Sequence, residues 1–148
     1  MRKRSKYRPR TILLDTMAHV KTSLTPVSAR SEENVVMRLA THTALESVIR
    51  GDATSQDIDK LIACSNMSTA LARGGKGLDW RQEIRAGADA IEAIQKRFYR
   101  WKKVQATDAE LDAIRMLVAI HNAQLDDSLV QDLDRAVIRA RNKVKEIS

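Results

Sequence analysis

From Trp80 to Trp101 the apolar positions Trp80, Ile84, Gly87, Ile91, Ile94, Phe98 and Trp101 recur at spacings of 4, 3, 4, 3, 4 and 3. Only an α-helix brings residues so spaced onto one stripe, and the stripe must be covered by another element. Helix termini are marked with equal clarity. Ser31 opens a helix through Arg50, with Gly51 as its stop. Thr54-Ser-Gln-Asp57 reads as the next N-cap and Gly74-Gly75 as the next stop. Thr107-Asp-Ala-Glu110 is a capping box, Thr and Glu each placed to satisfy the other's free backbone N–H.

These signals predict helices over about 16–23, 31–50 and 55–73, then one from about 79 past 103, one begun by Thr107 and a last from about 128, the first stopping near Pro26. With only 5 Gly and 2 Pro in 148 residues, a sandwich or barrel of many short strands is excluded. The expected fold is an all-α bundle of five or six helices over residues 15–148, preceded by an arm over residues 1–14. Around the 31–50 helix no wide polar face is left. Val35, Leu39 and Ile49 lie on one side and Val36, Met37, Ala40, Ala44 and Val48 on the other, which predicts a helix in the middle of the bundle. The helix begun by Thr107 is expected to bury Leu111, Ile114, Val118 and Leu125 on one face and Met116, Ile120 and Ala123 on another. The last helix is expected to bury Leu129, Leu133, Ala136, Val137, Ala140 and Val144.

Charge is distributed unevenly. Residues 1–30 hold eight bases and one acid, a surplus equal to the whole net charge of +7, and residues 31–148 balance. Six of those bases stand in the first ten residues. A block of like charge repels itself and buries no apolar surface, so the arm is expected to be extended and mobile when alone. Arg2, Lys3, Arg4, Lys6, Arg8 and Arg10 can neutralise phosphates and release condensed counterions, while Tyr7 can stack on a base. The arm therefore predicts a nucleic-acid partner, DNA in the first instance, bound mainly without sequence preference. The same charge suits an acidic host protein, the partner of an adaptor or inhibitor whose helical body makes the specific contact. A virion or packaging component is a third reading.

Two other segments invite a nucleic-acid reading. Lys96-Arg-Phe-Tyr-Arg-Trp-Lys-Lys103 holds five bases and three of the five aromatics. The heptad stripe, however, assigns Phe98 and Trp101 to the core and leaves Tyr99 alone outside. Cations are also favoured near a helix C-terminus, so dipole complementarity is the better account. The same polarity runs along the last helix, from Asp126, Asp127, Asp132 and Asp134 to Arg135, Arg139, Arg141, Lys143 and Lys145. Ser55 to Leu71 faintly resembles a helix-turn-helix whose second helix would begin near Ser65. Ile58, Leu61 and Ile62 mark one face, and Cys64, Met67 and Leu71 a face rotated well away from it. A turn near Ala63–Ser65 would reconcile the two, as would one straight helix buried on both sides. The missing glycine and the lack of a base before Arg73 favour the straight helix.

Nothing in the sequence calls for an enzyme. His19, His42 and His121 stand far apart, without metal-ligand spacing to each other or to Cys64, so neither a metal nor a cofactor is expected. His42 and Glu46 are expected to form a hydrogen-bonded pair at the bundle edge, and His121 to be a satisfied core histidine. Gly74-Gly-Lys-Gly77 lacks the strand and spacing of a phosphate loop. Cys64 and the five methionines are expected mainly at core positions. The single cysteine, with no apolar run long enough for a signal or membrane segment, fits a reducing cytoplasm. The heptad stripe could pair two copies, although Gly87 makes it a weak coiled coil, so a homodimer stays open.

Lys6-Tyr-Arg-Pro-Arg10, followed by a short apolar segment, and the run His121-Asn-Ala-Gln-Leu-Asp126 resemble small, mostly uncharacterised proteins of proteobacterial phages, prophages and plasmids. The resemblance covers about fifteen residues. It implies a mobile-element origin and a bacterial host cytoplasm, and transfers no catalytic or binding residue.

Overall fold

The computed structural model describes residues 24, 26 and 31–147. The basic arm over residues 1–14 and the short helix expected at Thr16–Ser23 lie outside the described residues. Five α-helices follow: α1 (Ser31–Arg50), α2 (Ser55–Arg73), α3 (Arg81–Trp101), α4 (Asp108–Asp126) and α5 (Val130–Ile147). A 3-10 turn, Leu78–Trp80, leads into α3. Among the described residues there is no strand, only an isolated bridge between Pro26 and Leu129, so the bundle is all-α.

Caps fix the boundaries. At Thr54 the side chain accepts from Asp57 N–H, and the Asp57 carboxylate accepts from Thr54 N–H at 3.0 Å. The Thr54 N–H bond holds the Asp57 carboxyl below its usual range. Thr107 and Glu110 repeat the arrangement at the start of α4. The chain leaves α1 through Gly51 at φ 80° and leaves α3 through Lys102 at φ 55°, left-handed conformations that end a helix.

The central helix is α2, not α1. It packs on α1, α3, α4 and α5, and buries Ile58 and Leu61 on one side and Cys64, Ser68 and Leu71 on another. It is one continuous helix covered on two sides, so the turn weighed at Ala63–Ser65 does not exist. Helix α1 contacts α2 and α4 and sits at the edge. Its core side is Ala44, Leu45 and Val48, while Val35 and Leu39 are 60% and 62% exposed and Val36 is exposed with them. An apolar residue count around the helix could not tell which of two apolar sides meets a neighbour.

The main core joins Val48, Ile58, Leu61, Ile84, Ile91, Ile94, Ile114, Leu117 and Val118 across α1 to α4. A second cluster, Ala70, Leu71 and Ala136 with Met67, Leu133 and Ala140 against it, seats α5 on α2. In the last helix Val137 is half-buried and Ile138 exposed. On α4 Leu117 is buried, Leu111 partly buried, and Met116 exposed rather than packed. Met37 and Met67 are half-buried, so among the described residues no methionine is a fully buried core position.

The heptad stripe of α3 holds in its middle and fails at its ends. Ile84, Gly87, Ile91 and Ile94 are buried and Phe98 packs at the core margin, but Trp80 is exposed and Trp101 is 61% exposed. A strict seven-residue repeat drifts by about 20° per heptad on a straight helix, so the ends rotate off the core. Trp80 also precedes the first α-helical turn, and Val104 fills the core beyond Trp101.

Gly87 is required by the approach of α4. A Cβ built there would lie 2.6 Å from Leu117 Cβ and 3.1 Å from the Ala113 carbonyl oxygen. Helix propensity alone would make Gly87→Ala stabilising by about 1 kcal/mol. The clash is expected to reverse that sign and leave a loss of about 1–2 kcal/mol, measured by urea unfolding. A variant as stable as the parent chain would show that the two helices are not held this close.

Candidate nucleic-acid interface

Among the described residues of the body, Arg38, Arg50, Lys60, Lys76, Lys96, Arg97 and Arg115 each have a carboxylate partner, Lys60 meeting Asp57 at 3.6 Å. Arg97 Nη2 donates to both Glu110 oxygens at 2.5 Å. Burial pushes the Glu110 carboxyl up, but bonds from Arg97 and from Thr107 N–H overcome this and hold it below its usual range. Arg38 donates to Asn34 at 2.8 Å and pairs with Asp126, tying α1 to α4. Lys96 meets Glu92 at 2.7 Å, Arg115 meets Asp112 at 3.1 Å, and Arg50 meets Asp52 at 3.3 Å.

The arm residues Arg2, Lys3, Arg4, Lys6, Tyr7, Arg8 and Arg10 lie outside the described residues. In the 96–103 segment, Lys96 and Arg97 are engaged in the pairs above. Phe98 and Tyr99 meet edge to face, with centroids 6.1 Å apart. Arg100 stands 5.0 Å over the Trp101 ring, and Lys102 Nζ lies 5.9 Å from that of Tyr99. The bases do crowd the C-terminal end of α3, as dipole complementarity requires. The assignment of Trp101 to the core is corrected: two aromatics, Tyr99 and Trp101, face solvent here rather than one.

Ser55–Leu71 lies in one straight helix, the alternative that the sequence favours over a reader helix. Ser65 and Ser68, which would start the reading helix, are buried against neighbouring helices, and no groove of DNA could reach them. Ser68 Oγ donates to Gln124 Oε1 at 2.6 Å. Gln124 Nε2 in turn donates to the carbonyls of Ser68 at 3.0 Å and Lys76 at 2.8 Å. The Gly74–Gly77 stretch is therefore a turn bolted to α2 and α4, with Gly75 and Gly77 at φ 98° and 86°. Lys76 Nζ donates to the Asp127 carbonyl at 2.8 Å and is not free for a ligand.

His42 is not paired with Glu46; its Nε2 lies 3.1 Å from the Asn122 side-chain nitrogen across the α1–α4 contact. His121 is buried as expected but not satisfied, since its Nδ1 has no hydrogen-bond partner among the described residues. Burial, and then the nearby Arg38 charge, lower its pKa to about 4. Burial pushes the Cys64 thiol up to about 12, so it stays protonated and unreactive at neutral pH. Among the described residues no group of three potential metal ligands occurs, and no helix is long and apolar enough to cross a membrane.

One cationic site was not visible in the sequence. Between the C-terminal end of α2 and the N-terminal half of α3 lies a groove of about 650 Å³, lined by Arg73, Arg81 and Arg85 together with Thr69, Ala72, Ile84, Ala88 and Asp89. Among the described residues, none of the three arginines has an ion pair. The signal available beforehand was the i, i+4 spacing of Arg81 and Arg85. Arg73 joins them only because the 74–80 connection folds back. No family model, curated protein or solved structure matches this chain.

Proposed function

We propose that this chain binds nucleic acid, DNA in the first instance and mainly without sequence preference, through the basic arm over residues 1–14. The setting is a bacterial cytoplasm and a phage, prophage or plasmid gene. One observation carries the reading: the whole surplus of +7 lies in residues 1–30, ahead of a body with no net charge. Such a distribution places sequence-independent affinity in the arm rather than in a reading helix. The test compares the full chain with one lacking residues 1–10 on duplex DNA across a salt series. Weaker binding and a shallower salt slope without the arm support the reading; equal affinity and equal slope refute it.

A protein-directed module is the second reading. The observation that favours it is the solvent-facing apolar side of α1, with Val35, Val36 and Leu39 all exposed. Contiguous exposed apolar surface marks protein contacts more often than nucleic-acid contacts. A pulldown from nuclease-treated bacterial lysate separates the two, because a stoichiometric protein partner that survives nuclease supports the module.

A further inference from the structure

We infer that the α2–α3 groove is a phosphate-binding site in which Arg73, Arg81 and Arg85 hold the backbone of the nucleic acid that the arm captures. The inference builds on the nucleic-acid reading but places a second contact on the folded body. Arginines from two helices line it: Arg73 in the last turn of α2, Arg81 as the first residue of α3, and Arg85 one turn further on. Successive turns bring Arg81 and Arg85 to one face. Arginine's planar fork matches phosphate oxygens bidentately.

Dipole complementarity accounts for a base at the end of α2 and for those at the end of α3. It does not account for Arg81 and Arg85, which stand at the positive end of α3, where acids are favoured. Glu83 satisfies that preference from the far side of the helix, about 160° from Arg85 at 100° per residue. An anion seated in the groove would meet both arginines and the exposed end of the α3 dipole. Ile84 and Ala88 on α3 and Ala72 on α2 supply the apolar part of the lining. Asp89 is the one carboxylate on the rim and works against the anion, leaving a local surplus of two positive charges.

Tyr99 continues the same stripe of α3, eighteen residues or roughly 27 Å beyond Arg81. Between them the Glu92–Lys96 pair is charge-neutral. The strip from Arg81 to Tyr99 is thus cationic at one end and aromatic at the other, with no net repulsion for a polyanion along it.

The experiment measures binding to a duplex DNA of about 20 base pairs between 50 and 200 mM salt, in the full chain and in the chain lacking residues 1–10. In each, Arg73→Gln, Arg81→Gln and Arg85→Gln are combined. A control combines Arg50→Gln, Lys60→Gln and Arg115→Gln, which removes the same charge from cations already paired. The groove variant is expected to lower the salt slope by roughly 3, about fortyfold less affinity loss over that range, and the control to change it little. Asp89→Asn is expected to tighten binding severalfold. Unchanged thermal melting of the groove variant would show an intact fold, since none of its three side chains has an ion pair among the described residues.

Equal effects of groove variant and control would make the response one of net charge and overturn the site. A groove variant that binds like the parent in both backgrounds overturns it as well, and leaves the arm reading untouched. Loss of binding in the groove variant, with no effect of removing the arm, supports the groove and refutes the arm.

Discussion

Raising the salt from about 50 to about 200 mM is expected to weaken the arm's contribution to DNA binding roughly a thousandfold. The arm presents six bases, Arg2, Lys3, Arg4, Lys6, Arg8 and Arg10, within ten residues. Each phosphate neutralised on duplex DNA adds about 0.9 to the slope of log K against log salt, so six give a slope of roughly −5. A fourfold rise in salt then multiplies the dissociation constant by about 10³. Removing residues 1–10 should abolish this component and leave the shallower dependence of the folded body. The loss should be similar for unrelated duplex sequences, because phosphate contacts position a protein without reading bases. Binding titrations at four salt concentrations measure it directly, and a slope unchanged by the deletion would contradict the assignment.

The second large effect concerns acid stability. His121 is buried in the core with its pKa lowered to about 4, first by burial, then by the Arg38 charge. In the unfolded chain the imidazole takes up its proton around its ordinary value of 6.5. The unfolded state therefore binds more protons between pH 6.5 and 4, and stability must fall as pH drops through that window. Above pH 6.5 the contribution is constant. At about 1.36 kcal/mol per pH unit, the loss approaches 3 kcal/mol by pH 4, of which about 2 kcal/mol falls above pH 5. Carboxylates held low in the fold, Asp57 and Glu110 among them, weaken the protein only below their ordinary values of 3.8 and 4.5. Urea unfolding at pH 7 and pH 5 thus isolates the histidine. His121→Leu is expected to flatten the dependence between those pH values; the same dependence in the variant would assign it to other groups.

Local chemistry explains why so much of the fold was readable. The capping boxes at Thr54 and Thr107 and the glycine exits at Gly51 and Gly74 act over four residues or fewer, so the helix starts and glycine stops read from the sequence lie within a residue or two of the observed ones. What remained hidden depends on neighbours distant in the chain. Val35 and Ile58 are both apolar, yet only α2 is surrounded, and nothing within either helix records that. Trp101 was assigned to the core by a repeat that ignores helix drift. Asn122 took the place expected for Glu46 beside His42 through a contact 80 residues away in sequence. The groove arginines followed the same rule: two were adjacent on one face by spacing, and the third arrived by the path of the 74–80 connection.

The close seating of Leu117 on Gly87 has a kinetic side. The closest of these approaches joins α3 and α4, neighbours in the chain linked by only six residues, so closing that loop costs little entropy. The hairpin can assemble before the more distant pairings do. Among the described residues the last helix rests on a patch built from Ala70, Leu71 and Ala136, two of them smaller side chains than the isoleucines and leucines of the main core. It is the element whose transient detachment would open the molecule from its C-terminal side.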